Sequence, residues 1–333
     1  MSESEPTVKL FPYERVDYLT MQEVKQDAMW GITAFNLPNA WKSSRGEGVV
    51  IAVLDTGCDL DHTDLVNNLL PGKNFVQPNE SPNDDNGHGT HISGILVAED
   101  NGFGVVGVAP KAKVIPVKVL DASGNGSLDD VAAGIRWCIE QKVDFICMSL
   151  GCPVPIQKVR EPLIEATHAG IITFCAAGNS GDTKEVFYPS AYPETIAIGA
   201  IDPSFHRASF SNTGMGLDFL APGVDVLSTV PDNWYAKLTG TSMAGPFACG
   251  VAALLLSYVR HTPDSGVTLR TVNDYIETMK KYTISATDMS VPNPQFYQGF
   301  GIIDPRKFIE AMRIIREQYK LDETHAKSNS LVL

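Results

Sequence analysis

Three things are scarce in this sequence of 333 residues. The N-terminus, MSESEPTVKLFPYE, lacks a basic stretch followed by an apolar one, so no secretory signal is expected. There is no run of 18 apolar residues, so no bilayer span is expected. Positive charge is also short: 26 Lys and Arg stand against 39 Asp and Glu, a net charge of −13. A surface of that sign repels phosphate backbones and anionic lipid. Nucleic acid and membrane are therefore not expected partners, while divalent cations suit it. The six cysteines (Cys58, Cys138, Cys147, Cys152, Cys175, Cys249) lack paired metal-ligand spacing and mostly sit in apolar surroundings. Free thiols without an export signal point to a reducing, cytoplasmic compartment; a disulfide framework is the competing reading.

What remains is ordinary for a globular protein: 44% apolar and 20% charged residues. The length suits either two domains or one large α/β domain, and such a chain buries about three quarters of its unfolded surface. Residues 1–24 are polar and poorly periodic, an extension. From there, apolar runs read as buried strands: VVIAVL (49–54), KVIPVKVL (113–120), DFICMS (144–149), IITFCAA (171–177) and TIAIGA (195–200). Helical patterns separate them. One opens at Ser127, where Ser127 and Asp130 have the spacing of a capping box; Val131, Ile135, Cys138 and Ile139 follow at helical intervals. Strands alternating with helices imply right-handed crossovers and a mostly parallel central sheet with helices on both faces, an α/β fold in a single domain. Ligands bind such sheets at the carboxyl ends of the strands. After about 262 the pattern is mainly helical, with QGFGIID (298–304) as a late strand and turn.

Three stretches carry chemistry. In VLDTGCDLDHTDL, Asp55 follows a buried strand; alone it reads equally as an Asx turn. In NDDNGHGTHISGI, His88 stands between two glycines at the start of an apolar helix, and a satisfied core histidine is the alternative. His91, three residues on, could flank a metal with it. However, no third ligand of typical spacing follows and H-E-x-x-H is absent. In LTGTSMAGPFACGVAALLL, Ser242 opens a helix and by itself would be an N-cap. Together the three suggest a serine nucleophile, a base and an orienting carboxylate. Position 244 is Ala, which breaks the G-x-S-x-G elbow of the α/β-hydrolases. The order Asp55, His88, Ser242 is that of subtilisin-like enzymes, not of chymotrypsin-like ones.

DTG, NGHGTH and GTSMA in this order resemble the three signatures of the subtilisin-like serine proteases, over roughly residues 26 to 315. The resemblance implies Ser242 as nucleophile, His88 as general base then acid, and Asp55 as the group fixing the imidazole tautomer. FCAAGNSG resembles the oxyanion loop, with Asn179 donating its side-chain amide. Such a donor is worth about 2.7–4 kcal/mol, a value taken from subtilisin itself. Ser149, Leu150 and Gly151 of MSLG match the strand that pairs with an extended peptide. Ala177 and Gly178 match the facing pocket wall, and Phe187 falls at the pocket floor. A phenyl ring there implies small or medium side chains before the scissile bond. Polypeptides are the implied substrates.

AEDNGFGVVGVAP resembles the calcium loop of the family. The implied ligands of Ca2+ are the side chains of Gln26, Asp64 and Asn101 and the carbonyls of Glu99, Phe103 and Val105, a hard-cation set. A weaker cation site near Ser190, Tyr192, Thr195 and Asp218 is also implied. The pattern departs after GTSMA: Gly245-Pro246-Phe247 replaces the usual Ser, Thr or Ala followed by Pro-His. Gly245 costs the helix about 1 kcal/mol against Ala. Finally, Leu10, Phe11, Pro12 and Tyr13 resemble the Leu-Ile-Pro-Tyr type element of the bacterial intracellular subtilisins, which lies across the active site. The expected organisation is an inhibitory extension over 1–24, a peptidase domain over 25–320 and a tail over 321–333. The alternative is a catalytically weak or inactive peptide-binding protein on the same fold. The resemblance leaves a homodimer open.

Overall fold

The structure is a computed structural model that describes residues 6–26, 28–181, 184–262, 266–307 and 310. The expected tail over 321–333, and the domain end at 320, lie outside the described residues. Two short strands come first, β1 (Val8–Leu10) and β2 (Glu14–Leu19), then helices α1 (Trp30–Ala34) and α2 (Leu37–Ala40). Next come β3 (Val50–Asp55), β4 (Lys73–Asn74), α3 (His88–Val97), β5 (Lys113–Lys118) and β6 (Asn125–Gly126). The chain continues through α4 (Leu128–Gln141), β7 (Phe145–Met148), β8 (Leu150–Gly151), α5 (Gln157–His168), β9 (Ile172–Ala176) and β10 (Thr195–Ile201). After these come β11 (Phe219–Pro222), β12 (Val226–Val230), β13 (Trp234–Thr239) and α6 (Thr241–His261). Strands β14 (Thr283–Ile284) and β15 (Ile302–Ile303) close the sheet.

Nine strands form the central sheet in the order β14-β15-β11-β10-β9-β7-β3-β5-β4. The β14–β15 pair is antiparallel and the others are parallel. The two faces can be read in β3 with period two. Ile51 and Val53 enter one core with Ile92 and Ile95 of α3 and Phe247 and Val251 of α6. Ala52 and Leu54 enter the other with Val131 and Ile135 of α4 and Val159 and Leu163 of α5. Each large aliphatic side chain buried this way stabilises the fold by about 1.5–3 kcal/mol. The five strands expected from apolar runs all form: β5, β7 and β9 are shorter by two residues, β3 is shifted by one and β10 is longer by one.

Two readings need amendment. Ser127 does cap α4, accepting from the Asp130 N–H at 3.0 Å, but the Asp130 carboxylate takes the Ser127 hydroxyl at 2.7 Å. And α6 is long and apolar enough to cross a membrane, but 94% of its apolar stretch is buried inside the protein. It is the central core helix.

The chain passes from β3 to β5 on one side and later returns to β7 on the other. A sheet whose strand order reverses opens a crevice at the carboxyl ends flanking the reversal. Asp55 is the last residue of β3 and Ser149 directly follows β7. Both lie at this crevice.

Candidate active site

Asp55 and His88 meet in this crevice. Asp55 is fully buried, and its Oδ1 accepts from the Thr56 N–H and from His88 Nδ1, each at 2.8 Å. A carboxylate on Nδ1 fixes the tautomer and leaves Nε2 to take a proton. His88 is also fully buried, and its Nε2 has no hydrogen-bond partner among the described residues. The Tyr13 ring covers the imidazole, with centroids 5.1 Å apart.

The turn before His88 is organised by a residue the motifs did not single out. Buried Asp84 accepts from the Thr56 hydroxyl and the Asn86 and Gly87 N–H groups through Oδ1, and from the Thr90 N–H and hydroxyl through Oδ2. Despite burial, these donors hold its carboxyl below the ordinary range. Adjacent Asp85 pairs with the buried Lys118 ammonium at 2.7 Å. The NDD run ahead of the glycines was the available signal.

Ser242 is the second residue of α6 and fully buried. Its hydroxyl donates to the Ser149 carbonyl at 3.4 Å rather than to His88. Asn179 flanks the same turn. Its Oδ1 accepts from the Thr241 N–H at 2.9 Å and the Thr241 hydroxyl at 2.6 Å, which orients Nδ2 into the crevice. A side chain on Gly240 would put its Cβ 2.8 Å from that nitrogen, so only glycine fits beside it.

The extension fills the cleft. Strand β1 runs antiparallel between β6 and β8, with Leu10 opposite Leu150 and Lys9 opposite Gly151. Phe11 is 3% exposed, packed 5.9 Å from the Phe187 ring with its tip against Gly151. Phe187 hangs from the Ala177 carbonyl by its N–H, and Gly178 continues that wall. The two rings meet at 58°. The Pro12 carbonyl then accepts from Asn179 Nδ2 at 2.8 Å. Beyond Tyr13, β2 pairs antiparallel with β13, the strand that leads into Ser242.

Gln26, Asp64, Glu99 and Asn101, four of the residues expected around a cation, are joined by hydrogen bonds. Asn101 Nδ2 donates to Asp64 Oδ1 at 2.9 Å, and Gln26 Nε2 donates to Asn101 Oδ1 at 3.3 Å and to the Glu99 carbonyl at 3.0 Å. The Val105 N–H and the Tyr235 hydroxyl reach Asp64 Oδ2, each at 2.9 Å, and the Phe103 N–H reaches Asn101. Buried Oε1 of Glu99 has no partner. The Asp64 carboxylate, the Asn101 amide oxygen and the Glu99 carbonyl share this cluster, and oxygens of these kinds are what calcium takes. Near the second expected cation site, Asp218 accepts from the Ala197 N–H, and burial pushes its carboxyl up to about 7. All six cysteines are free and buried. Cys249 packs inside α6 among core residues.

The chain matches the subtilase family model over residues 46–301. It is 42% identical over 259 residues to an intracellular serine protease of Paenibacillus polymyxa, covering 75% of this chain and 78% of that protein. It is 41% identical over 255 residues to the major intracellular serine protease of Bacillus subtilis, covering 73% and 80%. Subtilisin E of Bacillus subtilis is 38% identical over 297 residues, covering 88% and 74%.

Proposed function

The chain belongs to the subtilase family and is a serine endopeptidase, and on that premise we propose which residues run the reaction and what restrains it. Ser242 attacks the peptide carbonyl while His88 Nε2 takes its proton, and Asp55 steadies the imidazolium that forms. Asn179 Nδ2 and the positive end of α6 receive the charge that builds on the carbonyl oxygen. His88 then returns the proton to the leaving amine, and water releases the acyl group by the same steps in reverse. Polypeptide substrates enter by pairing with Ser149, Leu150 and Gly151.

One observation carries this reading: the Pro12 carbonyl rests on Asn179 Nδ2 at 2.8 Å. A peptide carbonyl thus lies where an oxyanion would be held. The same contact supports restraint by residues 1–24. Phe11 fills the pocket, yet the carbonyl at Asn179 belongs to the next residue, so the segment sits one position out of register. The bond after Phe11 joins an imide nitrogen, and proline fixes φ there. Tyr13 shields His88, and Ser242 is turned to Ser149. When the extension leaves, the hydroxyl is free to turn toward Nε2.

An intracellular, cytoplasmic setting is supported by the intracellular serine proteases among the relatives, the acidic charge and the buried free thiols. A calcium ion held by Gln26, Asp64, Asn101 and the carbonyls of Glu99, Phe103 and Val105 would brace the loop. The orphaned Glu99 oxygen supports a cation nearby. The extension is tested by deleting residues 1–22 and following hydrolysis of a peptide substrate. The rate should rise several-fold; an unchanged rate rejects the inhibitory role.

A further inference from the structure

We infer that the cleft beyond the scissile bond carries a subsite for a cationic side chain, three residues past the carbonyl held by Asn179, so that the enzyme favours polypeptides with Arg or Lys there. The inference rests on the endopeptidase reading above and extends it to the choice of substrate.

The extension follows the path of a substrate, and its side chains report what each part of the cleft accepts. On the side before the scissile bond it contributes Phe11. On the far side it does not leave the surface. Residues 14–19 form β2 on the edge of β13, with Glu14 opposite Thr239, Arg15 opposite Leu238 and Leu19 opposite Tyr235. Because β13 runs straight into Gly240 and Ser242, any polypeptide reaching the nucleophile in this direction meets the same free edge once β2 departs. Main-chain pairing of that kind is indifferent to sequence, and discrimination falls to the side chains.

Arg15 is the side chain with the most directed contacts in this stretch. Its Nη2 donates to the Asn86 carbonyl at 3.3 Å, on the turn that precedes His88. Its Nη1 donates to the Tyr18 hydroxyl at 2.5 Å and its Nη2 to the Tyr13 hydroxyl at 3.3 Å, both within the extension, and the guanidinium lies 5.9 and 5.7 Å from the Tyr13 and Tyr18 ring centres. Tyr18 in turn meets Trp234 of β13 edge-on, with centroids 6.4 Å apart. Beneath these residues opens a cavity of about 480 Å³ shared by Arg15 and Tyr18 with Asp84, Asp85, Asp232 and Trp234. Asp84 is consumed by its five donors, and Asp85 is paired with Lys118. Asp232 is exposed at the mouth. The Asn86 carbonyl that takes the Arg15 donor, with exposed Asp232 at the cavity mouth, accepts a guanidinium or ammonium and repels a carboxylate. The body of the enzyme supplies all of these groups except Arg15, Tyr13 and Tyr18, so they remain for a substrate.

The test uses the full-length chain carrying Phe11→Asp and Arg15→Glu, which unseat the extension at both ends and leave the cleft walls intact. Three internally quenched peptides are compared, identical except for Arg, Ala or Glu at the third position after the cleaved bond. Hydrolysis of the Arg peptide should exceed that of the Glu peptide by about tenfold in kcat/KM at low salt, carried by KM, and the gap should shrink toward unity near 0.5 M salt, roughly where exposed charges are screened. Asp232→Asn should narrow the ratio. Binding of the same peptides to the Ser242→Ala form should follow the same order. Brisk hydrolysis with equal rates, or with the Glu peptide fastest, overturns the subsite and leaves the endopeptidase standing. Failure to cleave any of the three, with equal binding to the Ser242→Ala form, overturns both.

Discussion

Ser149 and Ser242 exchange two hydrogen bonds across the cleft. The Ser149 hydroxyl donates to the Ser242 carbonyl at 3.0 Å, and the Ser242 hydroxyl donates to the Ser149 carbonyl at 3.4 Å. The reason lies four residues along α6. Pro246 sits inside the helix and has no N–H to give the carbonyl of residue 242. Ser149, at the end of β7, supplies the missing donor. The first turn of α6 is therefore tied to the residue that follows β7.

Ser149→Ala leaves that carbonyl buried and unsatisfied, which costs about 1–3 kcal/mol. Urea unfolding should show a lower midpoint by that amount, and kcat should fall with KM little changed because the first turn of α6 loosens. An unchanged midpoint removes this account of Pro246.

Gly245 has room for a side chain. A Cβ there would lie 3.8 Å from Ser149 Oγ and 3.9 Å from the Ala176 nitrogen, ordinary contact distances. Gly245→Ala should stabilise the protein by about 0.4–1 kcal/mol, through the lost freedom of the unfolded chain. Thermal unfolding should move upward by roughly 1–3 °C. A downward shift would mean that the helix start needs the glycine for a reason other than space.

His91 gives the protein an acid-sensitive joint. Its Nε2–H is shared between the Val226 and Ala236 carbonyls, each 3.1 Å away, which ties α3 to the β12–β13 hairpin. Burial, with a smaller contribution from His88, pushes its pKa down to about 3. The folded protein thus holds His91 neutral, while the unfolded chain protonates near 6.5. Its contribution to stability is complete above pH 6.5 and fades as pH falls toward 3, with a slope of at most about 1.4 kcal/mol per pH unit. Denaturation curves between pH 8 and 4 should show this slope in the parent and a flatter profile in His91→Gln. Parallel profiles would assign the acid sensitivity elsewhere.

Calcium should stabilise the folded chain by about 2.7 kcal/mol at a concentration one hundred times its Kd. Chelation should then lower the unfolding temperature, and Asp64→Asn should abolish the response to added calcium. A response that survives Asp64→Asn would place the ion at another site.

Much of this was legible in the sequence because it follows short-range rules. The buried strands announce themselves as apolar runs, and Asp55 could be placed at a strand end from VVIAVL alone. The hairpin β12–β13 was not legible. FLAPGVDVLSTVPDNWYAKLTG is broken by Pro, Gly and Asp, and its partner β2 lies more than two hundred residues away. The role of Ser149 was hidden for a similar reason. A proline at 246 signals a missing donor but does not say which distant hydroxyl replaces it.

On the proposed mechanism, Ser242, activated through His88, is the nucleophile once residues 1–22 are gone. Fluorophosphonate labelling of the truncated chain, followed by peptide mapping, tests it most directly. The account predicts one label per chain on Ser242, none in Ser242→Ala and a greatly slowed reaction in His88→Ala. A truncated chain that stays unlabelled while folded, or a label that persists in Ser242→Ala, would contradict it.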